Sequence, residues 1–477
     1  MVVGSTPAMI ERYEDALGEL VRFRPEVEEH LDALVAEEPG FAPAALARAY
    51  LGVLTSEPGP SRQGLTVLAE LDQHVPPDRL TPVQRGHREA IEAWSQGRFT
   101  RAQAALDRVS ESDPHDLLAL FAGHQLDFFL ADAASLRDRL GRVLPEWDRQ
   151  DPGYGFLLGM FAFGLEESGW YDRAEAVGTE ALATNPEDVW ALHAVVHTHE
   201  MRAEVDRGLG LMDRMAPYWT EGNAFNAHNY WHQALYLLEL GDIPAVLDVY
   251  DRHLHNDGSA GVALEMLDAS SLLWRLYLDG DAQETRFAAL AEAWARWVAA
   301  DEPYYVFNDC HAIMALAGAG RVAEAEHRVE QLRRYAVEGD GGADLQTNVT
   351  MTRVVGLPVA QALVSFAAGR YQQVVDRLAP IRGRFYTFGG SHAQRDAFHR
   401  TLLEAAIRVG DTGLARTLVN ERISVKEDSP YNWVARQRLM AAAGDAERAT
   451  EARQRARTLQ QGLAARWQHD RAAAPGA

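Results

Sequence analysis

The chain has 477 residues, 47% hydrophobic and 24% charged, with 46 Lys+Arg against 69 Asp+Glu for a formal net charge of −23. That balance repels phosphate backbones and argues against a nucleic-acid partner. A single cysteine, Cys310, excludes an intrachain disulfide and fits a reducing compartment.

The N-terminus turns charged by Glu11 without a basic start and apolar core, so no signal peptide is expected. No run of about 18 apolar residues stands out as a membrane span. A soluble, cytoplasmic protein is the expectation, with no membrane partner.

In chain order, residues 1–80 read as an irregular helical cap. Helical spacing runs from Arg12 to Ala36 and from Ala42 to Leu54. Glu57-Pro58-Gly59-Pro60 reads as a break, Gln63 to His74 as a further helix, and Pro76-Pro77 as a second break.

From Pro82 a period emerges. A Gly-x-aromatic turn (Gly97, Phe99) followed by small residues at Ala102 and Ala105 recurs at Gly169, Tyr171, Ala174 and Ala181, then again after Gly241. The glycines are 72 residues apart, two units of 36, with intervening turns expected near Asp132 and Val205. This is close to the tetratricopeptide period of about 34 residues, in which two helices meet through small residues. Later turns are expected at Gly280, Gly320, Gly369, Gly410 and Gly444.

No alternating β-branched stretch competes. The reading is an all-α, right-handed α-α superhelix of about ten hairpins over 81–450, closed by a basic helix and fraying tail over 451–477. Glu338-Gly339-Asp340-Gly341-Gly342 reads as a flexible loop in the longest irregular stretch.

Six strings within this frame, HAVVHTHEM, HNYWHQALYLLELGD, LDASSLLWRL, NDCHAIMALAGAGR, GLPVAQALVSFAAGRY and GGSHAQRDAF, resemble the tetratricopeptide repeat protein 38 family, in family order from about Glu89 to Ala446. The resemblance implies a helical-repeat fold and an intracellular protein, and supplies no catalytic residue to carry over.

Histidine is concentrated in the stretch Trp190 to Tyr250. His193 and His197 share one helix face, as do His228 and His232 on the next candidate helix, because a four-residue step returns to the same side. First helices of such hairpins line the concave face. There the register collects His193, His197, His228, His232, Asp268, Asp309 and His311, with Glu200, Trp231, Tyr230, Trp274 and Tyr305 nearby. His199 is expected to point away, and His253 and His255 to sit at a helix end.

Three readings of this cluster stand side by side. His193, His197, His232 and His311 are candidate ligands for a divalent metal, which needs three or four imidazole or carboxylate groups at about 2 Å. Alternatively, a metal-free pocket walled by Trp231 and its aromatic neighbours takes up a small molecule or peptide, with histidines tautomerically fixed by Asp268 or Asp309, or uses them for acid-base chemistry. In the third, the histidines only pack and hydrogen-bond between helices.

A second candidate, for an anion, is the helix start at Gly389-Gly390 with Ser391, His392 and Arg395, against an ordinary capped turn with Arg395 paired to an acid. No phosphate-binding loop, dinucleotide fingerprint or serine-hydrolase elbow occurs. Cys310 lies beside His311, but adjacent helical positions point about 100° apart and do not pair.

Overall fold

A computed structural model describes residues 6–300, 302–338 and 347–473, and it is helical throughout with no strand among them. The N-terminal segment forms two helix pairs. α1 (Pro7–Val21) packs on α2 (Val27–Glu37), and α3 (Ala42–Leu54) on α4 (Pro58–His74). Pro58 and Pro60 do not interrupt α4. They sit in its first turn, where a missing N–H costs nothing.

Ten hairpins follow. The first three are α5/α6 (Pro82–Ser95, Phe99–Ser112), α7/α8 (Leu117–Phe129, Ala133–Val143) and α9/α10 (Tyr154–Glu167, Tyr171–Thr184). Next come α11/α12 (Val189–Met201, Val205–Trp219) and α13/α14 (Asn226–Leu240, Ile243–Val249), the latter extended by a π turn over Tyr250–Leu254. Then follow α15/α16 (Ala263–Leu278, Glu284–Ala300) and α17/α18 (Val306–Gly318, Val322–Glu338). The segment α19 (Thr347–Met351) runs through a π turn at Thr352–Gly356 into α20 (Leu357–Ala367), which pairs with α21 (Tyr371–Leu378). The last hairpins are α22/α23 (His392–Val409, Thr412–Val425) and α24/α25 (Pro430–Ala442, Ala446–Ala473).

The expected turn positions carry left-handed backbone: Gly97, Gly169 and Gly241 have φ of 71°, 79° and 75°. At the two intervening turns the same conformation is held by Ala131 (φ 53°) and Ala203 (φ 59°), which pay for a Cβ that glycine lacks. This is why those turns carry no glycine signal in the sequence.

First helices lie inside and second helices outside. In α9 and α11 nearly every residue is buried, as befits a helix apolar on all sides, whereas α10 buries only Ala174, Gly178, Ala181 and Leu182. The fold is a tetratricopeptide-like helical solenoid.

Its inner side is packed with protein. Glu57 accepts from the backbone N–H of Ala263 (3.1 Å) and the indole of Trp297 (2.7 Å). Tyr304 and Tyr305 donate to the carbonyls of Trp94 (2.5 Å) and Phe129 (3.0 Å), and Arg24 reaches Gly222 (2.7 Å) and Glu187 (3.1 Å).

α12 runs through Pro217 to Trp219, since a proline near a helix end removes a single backbone bond. Two local expectations are corrected. Arg12 to Ala36 is two helices, separated around Pro25. Thr347–Ala367, placed in the irregular stretch, is helical and by length and composition alone is apolar enough to span a membrane. Its most apolar window is 67% buried here, and α20 packs on α17, α18 and α21. Most of the glycine-rich segment 338–342, and the tail beyond 473, lie outside the described residues.

Candidate functional site

α11 is started by Asp188, whose carboxylate accepts from the N–H groups of Trp190 and Ala191. Four-residue spacing then stacks His193 and His197 on one side, ring centroids 4.3 Å apart. On α13 the same spacing stacks His228 and His232, 4.8 Å apart. Because α11 packs against α13, the two pairs face each other: His193 lies 4.8 Å from His228 and 5.1 Å from His232, and His197 lies 4.3 Å from His232. His193, His197 and His232 are at most 1% exposed. Phe163, Trp190, Phe225 and Trp231 wall the cluster, with Trp231 stacked at 5.3 Å on His228.

The ring nitrogens are organised by carboxylates. His228 Nδ1 lies 2.7 Å from Asp268 and His232 Nδ1 lies 2.9 Å from Glu200. His197 Nδ1 lies 3.6 Å from Glu166, a fully buried acid whose oxygens have no hydrogen-bond partner among the described residues. Asp268 and Glu200 each hold the proton of their imidazole on Nδ1 and leave the Nε2 lone pair pointing inward. The Nε2 atoms converge: His228 to His193 is 3.0 Å, and His232 to His228 is 3.2 Å.

With Nδ1 protonated on both His228 and His232, two lone pairs face each other at hydrogen-bond distance with no proton between them. A cation removes that repulsion. Four nitrogens around a tetrahedral ion at about 2.05 Å stand about 3.3 Å apart, close to the spacing seen. One candidate ligand atom from each of the four histidines lies within 4.8 Å of every other.

Burial, reinforced by neighbouring histidines, drives the pKa of His193 well below its usual value and does the same to His232. His197 is lowered to about 4, burial outweighing the opposing pull of Glu200 and Glu167. Burial and the adjacent Glu167 push Glu166 well upward. At neutral pH His193, His197 and His232 are therefore uncharged and free to ligate.

Of the expected inner-face residues, the structure brings together His193, His197, His228, His232, Glu200, Trp231 and Asp268. It does not bring His311 or Asp309. His311 turns to Phe307 and Phe398 and donates from Nδ1 to the Phe307 carbonyl (2.8 Å), because α15 packs on both α13 and α17 and stands between them. Among the four candidate metal ligands, His228 takes the place expected of His311. Asp309 forms a fully buried ion pair with Arg328 (2.6 Å).

His199 is buried rather than exposed, its Nδ1 2.8 Å from Glu204. Tyr305 and Trp274 are tied to Phe129 and Thr401, away from the histidines. Cys310 is buried, with its thiol against the Gly356 carbonyl (3.6 Å). Glu166 was not foreseen. It lies three residues from Phe163 on α9, an arrangement indistinguishable in sequence from an ordinary helix end.

At the second candidate, Ser391 caps α22 in a reciprocal pair with Gln394. The anion at this helix start is the chain's own Glu167. It accepts from the His392 N–H (2.8 Å) and from Arg395 Nη2 (3.0 Å), and Arg395 also donates to Gly390. Burial pushes Glu167 upward, but His392 and Arg395 outweigh it and hold the acid below its usual range. The site is an internal ion pair, closed to an external anion.

No family model matches the chain. Among solved structures it is similar to the human IFIT1 dimer with PPP-AAAA, at 13% identity over 96% of each chain and a TM-score of 0.38. It is also similar to the human IFIT1 dimer with m7Gppp-AAAA, at 13% identity over 94% of this chain and 99% of that one, TM-score 0.40. The TPR domain of P58(IPK) shares 11% identity over 83% of this chain and 100% of that one, TM-score 0.22. At these scores the likenesses carry no argument about ligand or partner.

Proposed function

We propose that this helical-repeat protein binds a divalent transition metal of the zinc class at His193, His197, His228 and His232. The observation carrying the reading is the convergence of Nε2 atoms at 3.0 and 3.2 Å with carboxylates behind the Nδ1 atoms of His228 and His232. Imidazole ligands suit zinc, copper, nickel and iron, and the carboxylates behind the His228 and His232 rings orient them and raise their basicity. Asp268 and Glu200 would offset the charge.

Four imidazoles fill a tetrahedron, which favours a closed, structure-holding or storage site over a catalytic one with an open position. Burial of the cluster also argues against a peptide or drug-sized molecule at these histidines. An enzyme using the cluster remains the second reading, supported by the partial exposure of His228 on one side.

Several further readings accompany this one. The six strings above support kinship with the tetratricopeptide repeat protein 38 family, the lone cysteine supports a cytoplasmic setting, and the net charge of −23 supports partners other than nucleic acid. The apolar face of Thr347–Ala367 turned into the protein supports a role away from membranes.

The test is elemental analysis of untagged protein purified without added metal, beside the His228→Ala, His232→Ala double variant. Near-stoichiometric metal in wild type, lost in a variant with unchanged helical circular dichroism, is the expected result. Absence of metal from wild type even after dialysis against zinc, cobalt or nickel would sink the proposal.

A further inference from the structure

All but one of the 46 basic residues are arginine; the single lysine in 477 residues is Lys426. It lines an enclosed cavity of about 30 Å³ with Arg275, Arg400, Arg422, Asp396 and Glu200. Four cations thus face three carboxylates, the third being Glu239.

The carboxylates are already engaged. Asp396 is shared by Arg400 Nε (2.6 Å) and Arg422 Nη1 (2.5 Å). Glu200 holds His232, and Glu239 accepts from Ser429 (2.9 Å) and the Tyr431 N–H (3.2 Å) with Arg400 at 3.5 Å.

Among the described residues Arg275 has no carboxylate in ion-pair contact. Its Nη1 donates to the carbonyl and hydroxyl of Ser271, both at 2.9 Å, and its Nη2 to the Ala393 carbonyl at 2.6 Å. Arg275 Nε and Arg400 Nη1 are buried donors without a partner among the described residues, on side chains 1% and 7% exposed. Burial, and then the nearby Arg400, lowers the Arg275 pKa to about 10. A buried guanidinium with no carboxylate in direct contact is costly even with Asp396 and Glu200 nearby, and a pair of unmet donors adds to that cost. Both are met by one compact anion. A cavity this small excludes a nucleotide, sugar or peptide and leaves room only for a compact ion.

We propose that this cavity is a binding site for a small inorganic oxyanion of the phosphate class, held by Arg275, Arg400 and Lys426, with Arg422 behind Asp396. The site is independent of the metal reading and touches it only through Glu200, whose carboxylate lies between His232 and the cavity.

Lys426 makes the test specific, because it is the chain's only side-chain amine. Acetylation by a limiting amine-reactive ester is followed by mass spectrometry at Lys426, with the α-amino group of Met1 as the internal control, in inorganic phosphate or in chloride at matched ionic strength. Saturating phosphate is expected to slow modification of Lys426 at least ten-fold while leaving Met1 unchanged, and Arg400→Gln is expected to abolish the protection. Equal rates at Lys426 in phosphate and chloride would overturn the proposal, as would equal slowing at both amines. Should Arg400→Gln fail to fold, the comparison within the wild-type chain still decides.

Discussion

At the scale of single residues, the histidine cluster depends on which nitrogen of each ring carries a proton. Asp268 accepts from His228 Nδ1 and so keeps the inward Nε2 deprotonated. Asp268→Asn preserves the shape but can present an amide donor where an acceptor is needed. Metal affinity is expected to fall about 10- to 100-fold in competition with a chromophoric chelator, with the fold retained. Unchanged affinity would mean that Asp268 does not hold the ring.

His311, away from the cluster, supplies a pH test. Burial is the main cause that lowers its pKa from 6.5 to about 4, so the folded state binds its proton more weakly than the unfolded state. Its contribution is therefore fully present above about pH 6.5 and lost as the pH falls toward 4. Burial raises Asp188 to about 7, and that group runs in the opposite sense, so only the difference between two proteins isolates His311. Between pH 7.5 and 5, wild type should lose about 2 kcal/mol relative to His311→Leu in urea unfolding. Parallel pH profiles would contradict the assignment. The i, i+4 pairs 193/197 and 228/232 were legible from spacing alone. The places of Glu166 and His311 were not, because each depends on how a hairpin is rotated against its neighbours.

At the scale of elements, helices approach closely where a side chain is missing. A Cβ on Gly164 of α9 would stand 2.5 Å from the Leu136 carbonyl oxygen and 2.6 Å from the Arg137 backbone on α8. Backbone on both sides cannot yield as a flexible side chain does. Gly164→Ala should cost about 1–3 kcal/mol, read as a lower urea midpoint. No change in midpoint would mean that α8 and α9 separate freely. Hairpin order and the turns from Gly97 to Gly241 were readable from the 72-residue glycine spacing, and the later turns from single glycines at uneven intervals. The turns at Ala131 and Ala203 were predicted by period alone, since alanine gives no turn signal.

At the scale of the whole molecule, the proposed ion joins two successive hairpins, and anything that binds only the folded state stabilises it by mass action. At free metal 100 times the dissociation constant this is about 2.7 kcal/mol. Chelation should therefore lower the thermal midpoint by several degrees in wild type and leave the His228→Ala, His232→Ala variant unmoved. An equal shift in both would place the metal elsewhere. The acidic balance leads to a further expectation: no retardation of single-stranded RNA at physiological salt in an electrophoretic assay. A saturable shift would reverse it and direct attention to a local basic surface.

Sequence alone determined the all-helical repeat build, because a helix period and its turn residues are local properties written every three to four residues and every hairpin. It also determined that histidines would share helix faces between Trp190 and Tyr250. Tertiary structure decided that the inner face is filled rather than open, that His228 joins the cluster while His311 stays with Phe398, and that Glu167 occupies the helix start at Ser391. Those outcomes rest on contacts between residues more than 200 positions apart, such as Glu167 with His392 and Glu57 with Trp297. Small rotations add up from one hairpin to the next, and no local spacing encodes where they end.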